Sequence, residues 1–434
     1  MAGNANAGHE IFSLMRELWP ICRSITGDGV RRTLDILRQR LPQMSIYEVP
    51  TGTRCFDWVV PKEWNIRDAF IIGPDGTKVV DFSDTNLHVV SYSIPIEMEI
   101  ELEELQQHLH SLPDQPEAVP YVTSYYKEDW GFCLAHKVRE KLVPGRYRVR
   151  IDSQLKDGSL TYGEIFLPGA SNREVLISTY ICHPSMANNE LSGPCVTAQL
   201  AQWLLERGRR YSYRIVFVPE TIGAICYISR HLQHLKEKTI AGYVMTCVGD
   251  ERAWSFMPSR HGNTLSDRVA RHVLKHVAPA YKEYSFLERG SDERQYCSPG
   301  VDLPVSSVMR SKYATYPEYH TSLDNMDMVT PTGLEQAFAA HQKIIEVIEA
   351  DCTPVSLVLC EPKMSDRGLR PTIGKMGSAS NSRDIMNLIA YADGNHSLLE
   401  IAEIINVPAW ELRTMAETLA SFGIIEMHYG ITNP

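Results

Sequence analysis

At three places in the 434-residue chain an apolar run stops at a polar side chain able to do chemistry, and a fourth such side chain lies in a loop. EVLISTYICHPSMANNELSGP delivers His183 to a polar loop, with Asn189 and Glu190 in the turn before a helix that begins near Ser192. RIVFVPETIG ends on Glu220, with Thr221 beside it and a helix following at once. AGYVMTCVGDERAW ends on Asp250, and RSKYATYPEYHTSLDNMDMV places His320 in a loop before a long helix. An imidazole at a strand end can offer one ring nitrogen to a metal while a neighbour holds the other. Taken singly, each residue has a plainer role: a buried structural histidine, or a glutamate capping a helix. Taken together, two imidazoles and two carboxylates at the rim of one sheet are the ingredients of a hydrolytic zinc site, with N and O ligands and a free carboxylate as general base. GSDERQYCSPG adds Asp292, Glu293 and Arg294 as candidate substrate contacts, where a carboxylate can meet a free amino group or the guanidinium a carboxylate. A solvated charged loop is the alternative there.

The elements that position these residues follow from periodicity. From 145 to 350, strands at RYRVRID, LTYGEIFLP, EVLISTYIC, YRIVFVP, AGYVMTCVG and PVSSVMR alternate with helices at 192–207, 222–236, 263–276 and 331–350. Continuous apolar strands between amphipathic helices predict an α/β fold with a sheet buried on both faces. Functional groups in such sheets gather beyond the carboxyl ends of the strands. Residues 10–40 predict two covering helices broken at Pro20 and Gly27. From 56 to 119 the texture turns to short strands and turns, with an acidic helix expected over IEMEIELEELQQHLHSL, and predicts a small β-rich insertion. Beyond a linker dotted with Pro and Gly (EPKMSDRGLRPTIGKMGSAS), residues 383–427 predict three short helices and a final strand pair, the pattern of a winged helix-turn-helix.

Charge narrows the partners. The formal net charge of −10 disfavours nucleic acid and anionic lipid, both of which need a positive surface. Residues 356–434 hold six Lys or Arg against nine Asp or Glu, and the candidate recognition helix offers only Arg413. Packing or self-association is the expected role of that domain. No apolar run approaches the roughly 18 residues of a membrane helix, and the N-terminus lacks a signal-like pattern, so a cytoplasmic location is expected. Ten scattered cysteines with no C-x-x-C pair read as reduced core thiols.

The order of His183, a polar turn closing in Ser192 and Gly193, Glu220 at a strand end, Asp250, then Tyr319, His320 and Thr321 resembles the co-catalytic zinc aminopeptidases of the bacterial leucine aminopeptidase type. The chain resembles more closely the aminopeptidase-like proteins of bacterial polysaccharide-biosynthesis loci. The matching stretches run from CRSITGDGVRRTLDIL through FDWVVPKEWNIRDAFI, YVTSYYKEDWGFC, YICHPSMANNELSGP and CVGDERAWSF to YPEYHTSLDNMDMV, nearly the whole chain. The resemblance implies a zinc-exopeptidase-like mixed sheet flanked by helices over residues 1–55 and 120–352, a β-rich insertion over 56–119 and a winged-helix-like domain over 356–434. It makes His183 and Asp250 ligands of one zinc, His320 a ligand of a second, and Glu220 the general base. Two departures alter this. Asn189 stands where the bridging aspartate belongs and Thr221 where a second-site glutamate belongs, and neither supplies an anionic oxygen. One zinc held by His183, Asp250 and His320 is therefore expected rather than two, with Glu190 as a substitute ligand. The implied activity is hydrolysis of an amide or peptide bond in a small substrate. The alternatives are a deacylase acting on an aminosugar or natural-product intermediate, and an inactive binding protein that has lost its metal.

Overall fold

The structure is a computed structural model that describes residues 6–367 and 378–430, so residues 368–377 of the expected linker lie outside the described residues. The chain divides into two compact units, one of residues up to Asp267 with Lys282–Phe338, the other of Arg268–Tyr281 with the residues from Ala339 onward.

The first unit is built on an eight-stranded mixed sheet. Its strands lie in the order Ser45–Pro50, Ser159–Leu167, Ser212–Val218, Glu174–Tyr180, Thr239–Met245, Val305–Met309, Ser255–Met257 and Lys282–Glu283. The four central strands, from Ser212–Val218 to Val305–Met309, run parallel. All seven residues of Glu174–Tyr180 are buried, as expected for a strand covered on both faces. Because these strands are parallel, their carboxyl ends share one edge of the sheet, and that edge is followed by His183, Glu220, Asp250 and Ser311. Helix Ser192–Leu205 packs closely behind it. A Cβ on Gly193 would stand 2.3 Å from the Met245 carbonyl oxygen, so only glycine lets this helix approach the strand ends.

A second, antiparallel sheet takes the order Lys78–Asp81, Glu63–Ile72, Arg146–Lys156, Ile96–Glu101. Two expectations change here. The run RYRVRID belongs to this sheet and not to the large one, and the segment expected as one acidic helix opens with the strand Ile96–Glu101. The reason is charge. Glu97, Glu99 and Glu101 stand opposite Arg150, Arg148 and Arg146, with Arg148 to Glu97 at 2.7 Å and Arg146 to Glu99 at 3.4 Å. Opposite charges directly across a ladder are favourable, whereas a helix would set Glu97, Glu101 and Glu104 four or three residues apart as like-charged neighbours.

In the second unit, helices Ser378–Tyr391, Leu398–Ile405 and Ala409–Ser421 accompany a two-stranded sheet. The strand pair differs from the one expected. Ile425–His428 pairs antiparallel with Thr353–Ser356, which precedes the helices, instead of forming a terminal hairpin. Arg413 is engaged by Glu417 at 2.7 Å along its own helix. The N–H of Ala409, at the start of that helix, donates to His272 Nε2 at 2.9 Å, so the imidazole must be neutral to accept it. Burial, then His276 and Lys275, push His272 down to about 4. Its folded pKa lies below its unfolded value, so the native state resists the proton that the unfolded chain takes up, and this contribution to stability is lost as pH falls from 6.5 towards 4. His272→Gln keeps an acceptor and cannot titrate. Thermal melts at pH 7 and pH 5 should show a smaller acid-induced loss in this variant than in wild type, and an equal loss would remove His272 from the cause.

Candidate active site

His183 is held from behind. Its Nδ1 shares a hydrogen bond of 2.6 Å with Glu190 Oε2, and both residues are buried. Arg23, fully buried, donates from Nε to the His183 carbonyl at 3.0 Å and from Nη1 to the Leu18 carbonyl at 2.8 Å, and stands 3.9 Å from Glu190 Oε1. Burial pushes His183 down to about 3, with Arg23 adding to the effect, so the ring is neutral at physiological pH. In the tautomer that carries its proton on Nδ1, a neutral ring keeps the Nε2 lone pair free. That nitrogen lies 3.5 Å from Glu220 Oε2.

Glu220 lies two residues beyond strand Ser212–Val218, where the chain turns sharply into helix Ile222–Lys238. The turn is made by Thr221 at φ +63°, a left-handed conformation costly for a β-branched residue. Two side chains hold it there. The Thr221 N–H donates to Asp292 Oδ1 at 2.8 Å, and Arg294 Nη2 donates to Thr221 Oγ1 at 2.8 Å. Burial, then the neighbouring Asp292 charge, raises Glu220 well above the ordinary carboxylate range, and burial brings Asp292 to about 7. Glu190 is likewise raised by burial, with Arg23 opposing the rise. The Glu220 side chain keeps 19% of its surface exposed, against none for Glu190, and is thus the carboxylate open to an incoming molecule.

His320 completes the group. Its ring centroid is 5.3 Å from that of His183, Tyr319 stacks on it at 3.9 Å, and Tyr121 meets it edge-on at 5.3 Å. It too adopts a left-handed backbone, φ +57°. Its Nε2 is buried without a hydrogen-bond partner, and burial followed by the His183 charge pushes it down to about 3.

The remaining residues singled out by sequence are tied up elsewhere. Asp250 is wholly buried and accepts four hydrogen bonds: from Asn188 Nδ2 at 3.0 Å, the Ser311 N–H at 2.9 Å, Ser311 Oγ at 2.8 Å and the Arg252 N–H at 2.8 Å. Asn189 sits in a neutral cluster, where the Tyr180 hydroxyl reaches its carbonyl at 3.0 Å, its Oδ1 at 3.3 Å and Thr246 Oγ1 at 2.5 Å. Glu293 Oε1 accepts from the Gly290 and Ser291 N–H groups and the Tyr313 hydroxyl, a loop brace. Arg294 remains partly exposed beside Glu220.

Among the described residues, Cys182, His183 and Glu190 form the one group of three potential ligands within 4.8 Å of each other. The short His183–Glu190 hydrogen bond leaves no room for an ion between them, and burial raises the Cys182 thiol well above its ordinary value, against thiolate ligation. On the other side of the ring lie His183 Nε2, the Glu220 carboxylate 3.5 Å from it and the unpartnered Nε2 of neighbouring His320, N and O donors of the kind that could hold zinc. Sequence reasoning missed Arg23, Asn188, Tyr180 and Asp324. The last accepts from the Asn188 and Asn189 N–H groups at 2.7 and 2.9 Å and so fixes the wide helical turn Ala187–Leu191 that carries Glu190. The signal for Arg23 was a lone charge inside PICRSITG, a stretch otherwise composed like a core segment.

Comparison with known proteins agrees with this architecture. A family model described as "Domain of unknown function (DUF4910)" matches residues 12–351, and a winged helix-turn-helix model matches residues 353–427. The chain belongs to the DUF4910 family. It is 44% identical over 403 residues, 92% of each chain, to a Clostridium acetobutylicum protein named for polysaccharide biosynthesis with an aminopeptidase-like domain. The crystal structure of a protein from that organism, titled as a peptidase, superposes with a TM-score of 0.92 at 41% identity, covering 97% of both chains. A zinc aminopeptidase from Bacillus subtilis shares the fold with a TM-score of 0.58 at 11% identity, over 80% of this chain and 94% of its own. The chain thus has an aminopeptidase-like fold joined to a winged helix.

Arg23→Met leaves Glu190 buried with its neighbouring cation removed, and breaking such a pair typically costs about 3–5 kcal/mol. Urea unfolding of the full chain should register a loss of that order. A change below about 1 kcal/mol, the scale of a surface ion pair, would show that Arg23 does not support Glu190.

Proposed function

We propose that the chain is a zinc-dependent hydrolase that cleaves an amide or peptide bond in a small substrate, with His183 Nε2 and His320 Nε2 as metal ligands and Glu220 as general base. The observation that carries this reading is the exposed-side nitrogen of His183 with a partly exposed carboxylate 3.5 Å from it, beside a second imidazole whose ring centroid lies 5.3 Å away and whose Nε2 is buried and unpartnered. Bound zinc supplies a Lewis acid for the amide oxygen and makes water a stronger acid. Glu220 takes the proton from the attacking water and returns it to the leaving amine, and its raised affinity for protons suits both transfers. Glu190 keeps the proton of His183 on Nδ1, and Asp292 with Arg294 holds the turn that aims Glu220. Asp250, whose oxygens already accept four hydrogen bonds, is assigned to bracing Asn188 and Ser311 in place of the ligand role expected of it.

His183→Ala and His320→Ala should each strip bound zinc, because a site this small loses most of its affinity with one ligand. Elemental analysis of the purified variants checks this, and unchanged zinc in both would remove them from the site. Glu220→Gln keeps the shape and removes the base. Turnover on an aminoacyl-amide or N-acyl-sugar panel should fall about 100- to 10,000-fold with zinc content near wild type. The close approach of Glu220 to His183 favours a second reading in which the carboxylate is itself a ligand, and in that case zinc is lost along with turnover. Full zinc with wild-type turnover contradicts both.

A further inference from the structure

We infer that the substrate carries a carboxylate group, received by Arg294. This rests on the hydrolase reading only for the word substrate; the recognition itself stands on the geometry of one side chain. Arg294 uses two of its five donors within the chain, Nε to the Ser291 carbonyl at 2.9 Å and Nη2 to Thr221 Oγ1 at 2.8 Å. Its Nη1 donates to nothing among the described residues and is not among the buried atoms left without a partner, so it keeps a solvent-facing side. No carboxylate among the described residues lies within 4.0 Å of the guanidinium. Yet the group sits on the same rim as the reactive residues, since its charge acts on Glu220, Asp292 and Tyr319, and Tyr319 stacks on His320.

A guanidinium anchored at two points on one side and open on the other is pre-organised for an anion on its open side, and its planar fork matches a carboxylate. The acidic surroundings set the charge of that anion. Asp292 and Glu293 both act on Glu220, and Glu293 acts on Asp292, so a dianion such as a phosphate monoester meets more repulsion there than a carboxylate does. Of the three loop residues that could contact substrate, Asp292 and Glu293 are wholly buried, each with one oxygen engaged by Thr221 or by the loop, and Arg294 is the one that is partly exposed.

The test uses binding without turnover. The probes are two alanyl-alanine analogues in which a methylene-amine link replaces the peptide bond, one with a free C-terminal carboxylate and one with a C-terminal amide. Titration calorimetry on the zinc-loaded full chain should show the carboxylate form binding about tenfold or more tightly. Arg294→Gln should abolish the preference, and Arg294→Lys should restore part of it. Damage to Glu220 positioning weakens both probes alike and leaves their ratio intact, so the ratio isolates recognition. Equal affinities in wild type, binding of neither probe, a phosphate monoester outcompeting the carboxylate, or an undiminished preference in Arg294→Gln overturns the inference. Because nothing is cleaved, a chain that binds with this preference but hydrolyses no amide sinks the hydrolase reading alone.

Discussion

The hydrogen bond from His183 Nδ1 to Glu190, 2.6 Å long and sealed from water, is the constraint on which the site depends. It determines which nitrogen of the imidazole faces Glu220, and every chemical property of the site follows from that orientation. Its maintenance recruits distant parts of the chain. Arg23, from the segment between the two N-terminal helices, holds the His183 carbonyl and stands beside Glu190. Asp324, four residues beyond His320, holds the turn that carries Glu190. Gly193 lets the following helix seat that turn against the strand ends. A buried arginine and a buried glutamate are expensive to desolvate, and their retention together around one histidine is consistent with a positional role.

Strain and charge accumulate at the same place. Thr221 and His320 both adopt left-handed backbones, and each adjoins or belongs to the reactive set. Such conformations persist only where the surroundings over-determine them, here through Asp292, Arg294 and the tyrosines around His320. Glu190, Glu220 and Asp292 all resist ionisation chiefly because of burial, so a cation held there, as proposed, would favour their charged forms. Tyr180, Asn189 and Thr246 form a hydrogen-bonded cluster of neutral side chains beside this site.

Much of the fold was legible because parallel strands buried on both faces read as unbroken apolar runs. Glu174–Tyr180, Ser212–Val218 and Thr239–Met245 announce themselves, and the polar residue that ends each run marks the functional edge. What failed was local pattern under tertiary control. The segment beginning IEMEIE has helical composition, yet the arginines it faces across the ladder make it a strand. The terminal strand Ile425–His428 finds its partner about seventy residues earlier, a pairing no local pattern encodes. In the candidate site, residue type and placement single out His183, Glu220 and His320, and the structure sets them beside one another. Asp250, singled out in the same way, accepts four hydrogen bonds, a setting that a strand-end carboxylate does not announce in sequence. Glu190 looked like a spare ligand because sequence spacing does not say which side of an imidazole a neighbour occupies.

The central claim is that His183, turned by Glu190, presents Nε2 to a single cation shared with His320. Anomalous diffraction at the zinc edge from crystals of the zinc-loaded full chain tests it most directly. The account predicts one peak, bonded to His183 Nε2 and His320 Nε2 on the Glu220 side of the imidazole, with the Glu190 hydrogen bond to Nδ1 intact. A peak coordinated by Asp250 or Asn189, a pair of peaks, or density for zinc between His183 Nδ1 and Glu190 would contradict it.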